Sequence, residues 1–199
     1  MKYTELIKVT DDILKPLGFA RKGACWNRKG DVVEVVDLQL SKAKDAVTLN
    51  IGVAAPDIYW WVWDVEMPQF VDETSCTVRT RIGELCGGHD KWWPLDFADT
   101  EEDVRRAVEA IALPFLAGMH SLAAMEEWLL KTNVVAKRYP PPILALTAIK
   151  MKLNKDAEAL EVLSRLHQKP LGDWKGRVST LEAKITKYRQ GAKYNGRPS

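Results

Sequence analysis

Cysteine is scarce and irregularly spaced in this chain, with three thiols, Cys25, Cys76 and Cys86, among 199 residues. An odd count without regular spacing argues against a disulfide framework and favours a reducing compartment. Histidine is equally scarce: besides His89 there are His120 and His167, and no second Cys/His pair follows Cys86 and His89 at metal-ligand spacing. Cys86-Gly87-Gly88-His89 therefore reads as an ordinary turn, with no metal site. No apolar run approaches the ~20 residues that cross a bilayer. Met1-Lys2-Tyr3-Thr4-Glu5 lacks the apolar core of a signal peptide. A soluble, cytoplasmic protein without a membrane partner is expected. No glycine stands in a Gly-Lys-Ser/Thr phosphate loop. No cofactor and no catalytic residue are assigned.

Charge of one sign is also lacking overall, since the net charge is only +2. Its placement is uneven. Residues 1–139 hold 17 Lys/Arg against 22 Asp/Glu, a balance of −5, and residues 140–199 hold 12 against 5, a balance of +7. An acidic body with a basic end suits a basic partner at one face. Lys184, Lys187, Arg189, Lys193 and Arg197 form the basic terminus, which reads as solvated rather than as a nucleic-acid contact.

What is present is core material. Apolar residues make up 46% of the chain, ample for one domain with an appendage. Tyr3, Leu6, Ile7, Thr10, Ile13 and Leu14 form a helical stripe that Pro16 and Gly18 end. Residues 24–28 and 32–40 read as strands around a Lys29-Gly30-Asp31 turn. The second places Val32, Glu34, Val36, Leu38 and Leu40 on one face and Val33, Val35, Asp37 and Gln39 on the other. Residues 46–53 alternate likewise, with Val47, Leu49, Ile51 and Val53 opposite Ala46, Thr48, Asn50 and Gly52. Residues 76–82 set Cys76, Val78, Thr80 and Ile82 against Thr77, Arg79 and Arg81. One apolar and one polar face mark an antiparallel sheet covered by helices on a single side, an α+β fold. Residues 58–64, rich in tryptophan, read as a strand or an aromatic loop.

Thr100-Glu101-Glu102-Asp103 resembles a capping box opening a helix that Pro114 ends or kinks, and a further helix spans about 117–132. Tyr139-Pro140-Pro141-Pro142 is read as a stiff, extended boundary. The domains expected are thus 1–138, a helical extension over 139–190 with one tetratricopeptide-type hairpin plus a helix, and a disordered basic tail over 191–199.

The ordered series Leu17-Gly18-Phe19, Lys22-Gly23, Trp26, Arg28, Val33, Val36, Leu38-Gln39, Ser41, Asn50-Ile51-Gly52-Val53, Cys76-Thr77-Val78-Arg79, Arg81-Ile82-Gly83-Glu84-Leu85 and Asp90-Lys91-Trp92-Trp93 resembles a bacterial family known as domain of unknown function 4304. The resemblance covers about residues 5–130 and implies a fold without an assigned activity.

Two surfaces are candidates for function. On the polar sheet face, Asp37, Gln39, Asn50, Arg79 and Arg81 can stand together, with Trp26 and Arg28 at the edge, offering donors suited to a carboxylate, phosphate or peptide backbone. Trp60, Trp61 and Trp63 are candidate interface anchors. In a strand, neighbours 60 and 61 cannot both face inward, so one needs cover from the C-terminal helices or from a partner. The expected role is a non-catalytic protein-binding module, in its concrete form an immunity or antitoxin protein neutralising a basic toxin domain. The alternative is an enzyme, or an anion- or small-molecule-binding protein, with Asp37 as base and Arg79 and Arg81 as clamps.

Overall fold

The computed structural model describes residues 2–136, 139–168 and 172–190. The expected tail over 191–199 lies outside them. By compactness the chain forms two units: residues 1–56 with 67–124, and residues 57–66 with 125–199. Tyr139 and the prolines after it lie inside the second.

The first unit is an antiparallel meander backed by helices, the α+β architecture read from the alternation. Helix α1 (Tyr3–Leu14) precedes strands β1 (Ala20–Lys22), β2 (Cys25–Lys29), β3 (Val33–Leu40) and β4 (Ala46–Ala54). The sheet order is β1-β2-β3-β4-β5, with β5 at Val78–Arg81. A two-residue strand β6 (Trp93–Pro94) pairs with the start of β4. Strands β1 and β6 carry too short a pattern to be read from sequence.

Pairing of β3 with β4 sets Glu34, Val36 and Leu38 beside Val53, Ile51 and Leu49. These residues share the helix-covered face with Trp26, which pairs with Val36 and is fully buried. From α1, the Tyr3 hydroxyl donates to the Leu38 carbonyl and Asp11 accepts from the Trp26 indole at 2.8 Å. Leu6 and Leu14 of α1 are wholly buried, as are Val104, Val108 and Leu116 of the helical stretch from Thr100 to Gly118. That stretch is α4 (Thr100–Ala107), a widened π turn (Val108–Ala112) and α5 (Leu113–Gly118). Pro114 does not end it. Its missing N–H and bulky ring disrupt regular α-bonding, and the wide turn immediately upstream accommodates them. The capping box does not form: Thr100 is the first helical residue, and its hydroxyl donates to the Pro94 carbonyl at 2.6 Å. The helix expected over 117–132 starts later, at Leu122, where the Ser121 hydroxyl accepts from Ala124 N–H.

The second unit contains α2 (Pro56–Trp63) from Asp57 onward, the part of α6 (Leu122–Lys131) from Met125 onward, α7 (Pro140–Lys152), α8 (Asp156–His167) and α9 (Lys175–Arg189). The aromatic segment 58–64 is thus neither strand nor loop. Pro140 and Pro141 are not an extended spacer but the buried first turn of α7, where missing N–H groups cost nothing. Helix α7 is apolar all round, and α8 and α9 both pack on it. Its one buried charge, Lys150, reaches Glu126 at 2.8 Å and also Glu158. Among the described residues, no single helix is long and apolar enough to cross a membrane.

Candidate functional site

The side of the sheet opposite α1 has two zones. At one end Val33, Val35 and Ala54 pack against Val71, with Cys25, Met67 and Cys76 at the margin. The incoming segment is held by Asn27, whose amide donates to the Val71 carbonyl at 3.1 Å and accepts from the Val71 N–H at 2.7 Å. This end is therefore closed. Cys76 is not part of β5 as the alternation suggested. It precedes the strand and lies over Gly52, where an added Cβ would come within 2.6 Å of its Sγ.

The other end is polar. Cross-strand register places Asp37 opposite Asn50 and Asn50 opposite Arg81, and the neighbouring row runs through Gly52 to Arg79. Asp37, Gln39, Asn50, Arg79 and Arg81 thus stand on one face, because side chains two residues apart in a strand point the same way. The Asn50 amide donates to Asp37 at 3.0 Å and to Gln39 Oε1 at 2.9 Å. Its own oxygen accepts from Arg81 Nε at 3.3 Å. Trp26 and Arg28 do not join this face. Pairing of Arg28 with Glu34 and of Trp26 with Val36 puts both on the helix-covered side, and Cys25 and Asn27 take the positions expected for them.

Each arginine has a carboxylate partner that strand alternation does not disclose. Arg81 Nη1 donates to both oxygens of Asp90 at 3.0 Å, and the Trp92 indole donates to the same carboxylate at 2.9 Å. Arg79 Nη2 donates to Glu73 at 2.6 Å. Asp90 arrives on the loop Cys86–Asp90, which crosses so close to Gly83 that an added Cβ there would sit 1.9 Å from the His89 carbonyl oxygen. The Cys86-Gly87-Gly88-His89 segment is indeed a turn, with Gly87 and Gly88 at positive φ. Among the described residues, no group of three or more His, Cys, Asp or Glu could hold a metal ion.

Electrostatics separate these groups. Burial raises the Asp37 carboxyl above its ordinary value, although the Asn50 hydrogen bond opposes it. Burial likewise raises Glu73, against the pull of Arg79. The Asp90 carboxyl is lowered by its hydrogen bonds from Trp92 and Arg81. Burial, with Asp37, Asp72 and Glu73 nearby, pushes the Cys25 thiol up to about 12. Cys76 is raised well above its ordinary range, mainly by burial. Both thiols stay protonated at neutral pH, which makes them poor nucleophiles. The arrangement is an oriented set of donors and acceptors on one sheet face.

Trp60, Trp61 and Trp63 lie in the second unit against its own helix α9. Trp61 is buried edge-on to Tyr188, with ring centroids 5.7 Å apart. Trp60 carries the Lys184 ammonium 3.8 Å from its ring centroid. Trp63 meets Trp174 at 5.6 Å and the Arg177 guanidinium at 5.0 Å. The C-terminal helices supply the cover that these aromatic residues require.

One cluster escaped sequence reasoning. On the helix-covered face, Glu34 is only 2% exposed and is held by Arg28 and by His120 at 2.7 Å. A carboxylate in an otherwise apolar strand face was the available clue, since such a group needs a partner.

The family described as domain of unknown function (DUF4304) matches residues 10–118, more than half of the chain, and the chain belongs to that family. The helices beyond residue 118 lie outside the match. No curated protein and no solved structure matches the chain.

Proposed function

We propose that this DUF4304 member is a non-catalytic protein-binding module, and that the polar end of its open sheet face grips the partner. The observation that carries this reading is the continuous chain Asp37–Asn50–Arg81–Asp90, in which each side chain fixes the next while the arginine remains 34% exposed. Side chains held in place before contact lose little entropy on binding. The acid excess of residues 1–139 suits a basic partner, and neutralisation of a basic toxin domain is its concrete form.

The test is affinity capture from the source organism with the immobilised chain. The double variant Gln39→Ala/Arg79→Ala should lose about tenfold or more in capture while its far-ultraviolet circular dichroism remains that of a folded chain, and Glu127→Ala, on an exposed helical position, should capture like wild type. Equal capture by all three proteins would overturn the reading.

A further inference from the structure

The donors around Asp90 form a complete receptor for a carboxylate. Arg81 presents Nη1 to both oxygens, and the Trp92 indole N–H meets one of them. The guanidinium also lies 5.5 Å from the Trp92 ring centroid, so the two donors support one another. Arg81 is steered from behind by Asn50 and by Gln39, whose Oε1 accepts from Nη2 at 3.4 Å. Asn50 is in turn anchored on Asp37. Trp92 directly precedes β6, and Arg81, Asn50 and Gln39 stand on paired strands.

The occupant does not. Asp90 has 53% of its side chain exposed, and it is delivered by a loop whose Gly87 and Gly88 adopt left-handed backbone. Its lowered carboxyl pKa shows that the donors favour the ionised form. A second observation marks the same face. Thr48 is wholly buried beside Gln39 and its hydroxyl has no partner among the described residues. Thr48 and Trp92 are the residues next to the Val47–Trp93 pair that joins β4 to β6.

We propose that Arg81, Trp92 and Gln39 form a carboxylate-binding site, which Asp90 fills in the free chain and which an incoming carboxylate takes over by displacing it. The proposal rests on the reading of this sheet face as a binding surface. It adds the ligand chemistry: a carboxylate, carried by a protein partner or by a small dicarboxylic acid. Exchange at Arg81 makes and breaks only hydrogen bonds and ion pairs. A tethered competitor acts at a high effective concentration, so its removal should unmask affinity.

The experiment follows the Trp92 indole resonance by NMR during titration with succinate, and separately with an acetylated peptide ending in glutamate. Asp90→Asn should show a saturable shift, with affinity about tenfold or more above wild type. Adding Arg81→Gln to Asp90→Asn should abolish it, with the far-ultraviolet circular dichroism of each protein confirming its fold. A shift with succinate identifies a small acid as sufficient, and a shift with the peptide alone assigns the site to a protein carboxylate. No saturable shift with either probe in Asp90→Asn overturns the proposal. That failure is separate from failure of the protein-binding reading, because capture by the Gln39/Arg79 face would remain. Conversely, binding of succinate without any effect of that face on capture would remove the binding-module reading and leave the carboxylate site.

Discussion

Arg28 and Glu34 face each other across β2 and β3 on the helix-covered side of the sheet, and the guanidinium meets both carboxylate oxygens. His120 completes the pair from the break between α5 and α6. Burial alone would raise the Glu34 carboxyl, but hydrogen bonds from Arg28 and His120 reverse that and hold it below its ordinary value of 4.5. A depressed folded-state value stabilises the fold above the unfolded value and loses that contribution as pH falls through the folded one. Arg28 and His120 are partly exposed, so solvent screens the pair. Glu34→Gln should therefore cost about 2 kcal/mol in urea unfolding at pH 7. The difference from wild type should shrink as the pH drops below 4.5. A gap that stays constant down to pH ~3 would refute this assignment.

Asp37 should behave in the opposite sense. Its raised value means that the native state holds the proton more tightly than the unfolded chain, whose reference is 3.8. Ionisation then costs stability as pH rises from that reference through the folded value. An asparagine at this position can still accept from Asn50. Asp37→Asn should leave the pH 7 melting temperature unchanged or raised, and the benefit should vanish in acid. A clear loss of stability at pH 7 would show that the charge itself is needed.

Gly83 is where the Asp90 loop crosses helix α3 (Ile82–Leu85). A methyl group there meets backbone at 1.9 and 2.6 Å, which no rotamer can relieve. Gly83→Ala should cost about 1–3 kcal/mol. It should also detach Asp90 from Arg81, visible as a shift of the Trp92 indole resonance. An unmoved resonance with full stability would mean that the crossing is looser than described.

Trp61 is buried in the second unit, with 4% exposure. Trp61→Ala should cost about 3 kcal/mol or more. Lys184 donates to the Trp60 carbonyl at 2.9 Å, caps the end of α2 and stacks on the Trp60 ring. Lys184→Met keeps the stem and loses about 1–2 kcal/mol. Thermal unfolding followed by near-ultraviolet circular dichroism checks both. Trp61→Ala melting like wild type would contradict the packing of α2 on α9.

The legible parts of this fold are those with a period. In β3 and β4, a residue's parity assigns its face, which put Asp37, Gln39 and Asn50 together, and β5 added Arg79 and Arg81. Parity does not carry across a turn. One residue of difference in the loop between Lys29 and Val33 decides whether Arg28 or Asn27 faces the same way as Asp37, and the register chose Asn27. Turns also hid the counter-charges, since Glu73 and Asp90 return on non-periodic segments beside Cys76 and Gly83. The segment 58–64 misled because tryptophan and valine favour strands locally. Packing on α9 and a proline at its first position made it helical.

The most direct test of the central claim places a photo-crosslinking p-benzoylphenylalanine at one of two exposed positions in the full chain, Gln39 on the open sheet face or Lys8 on α1, before irradiation in cells of the source organism. The account expects position 39 to give a discrete crosslinked protein band and position 8 to give none. Bands of equal intensity from both positions, or a band from position 8 alone, would contradict it.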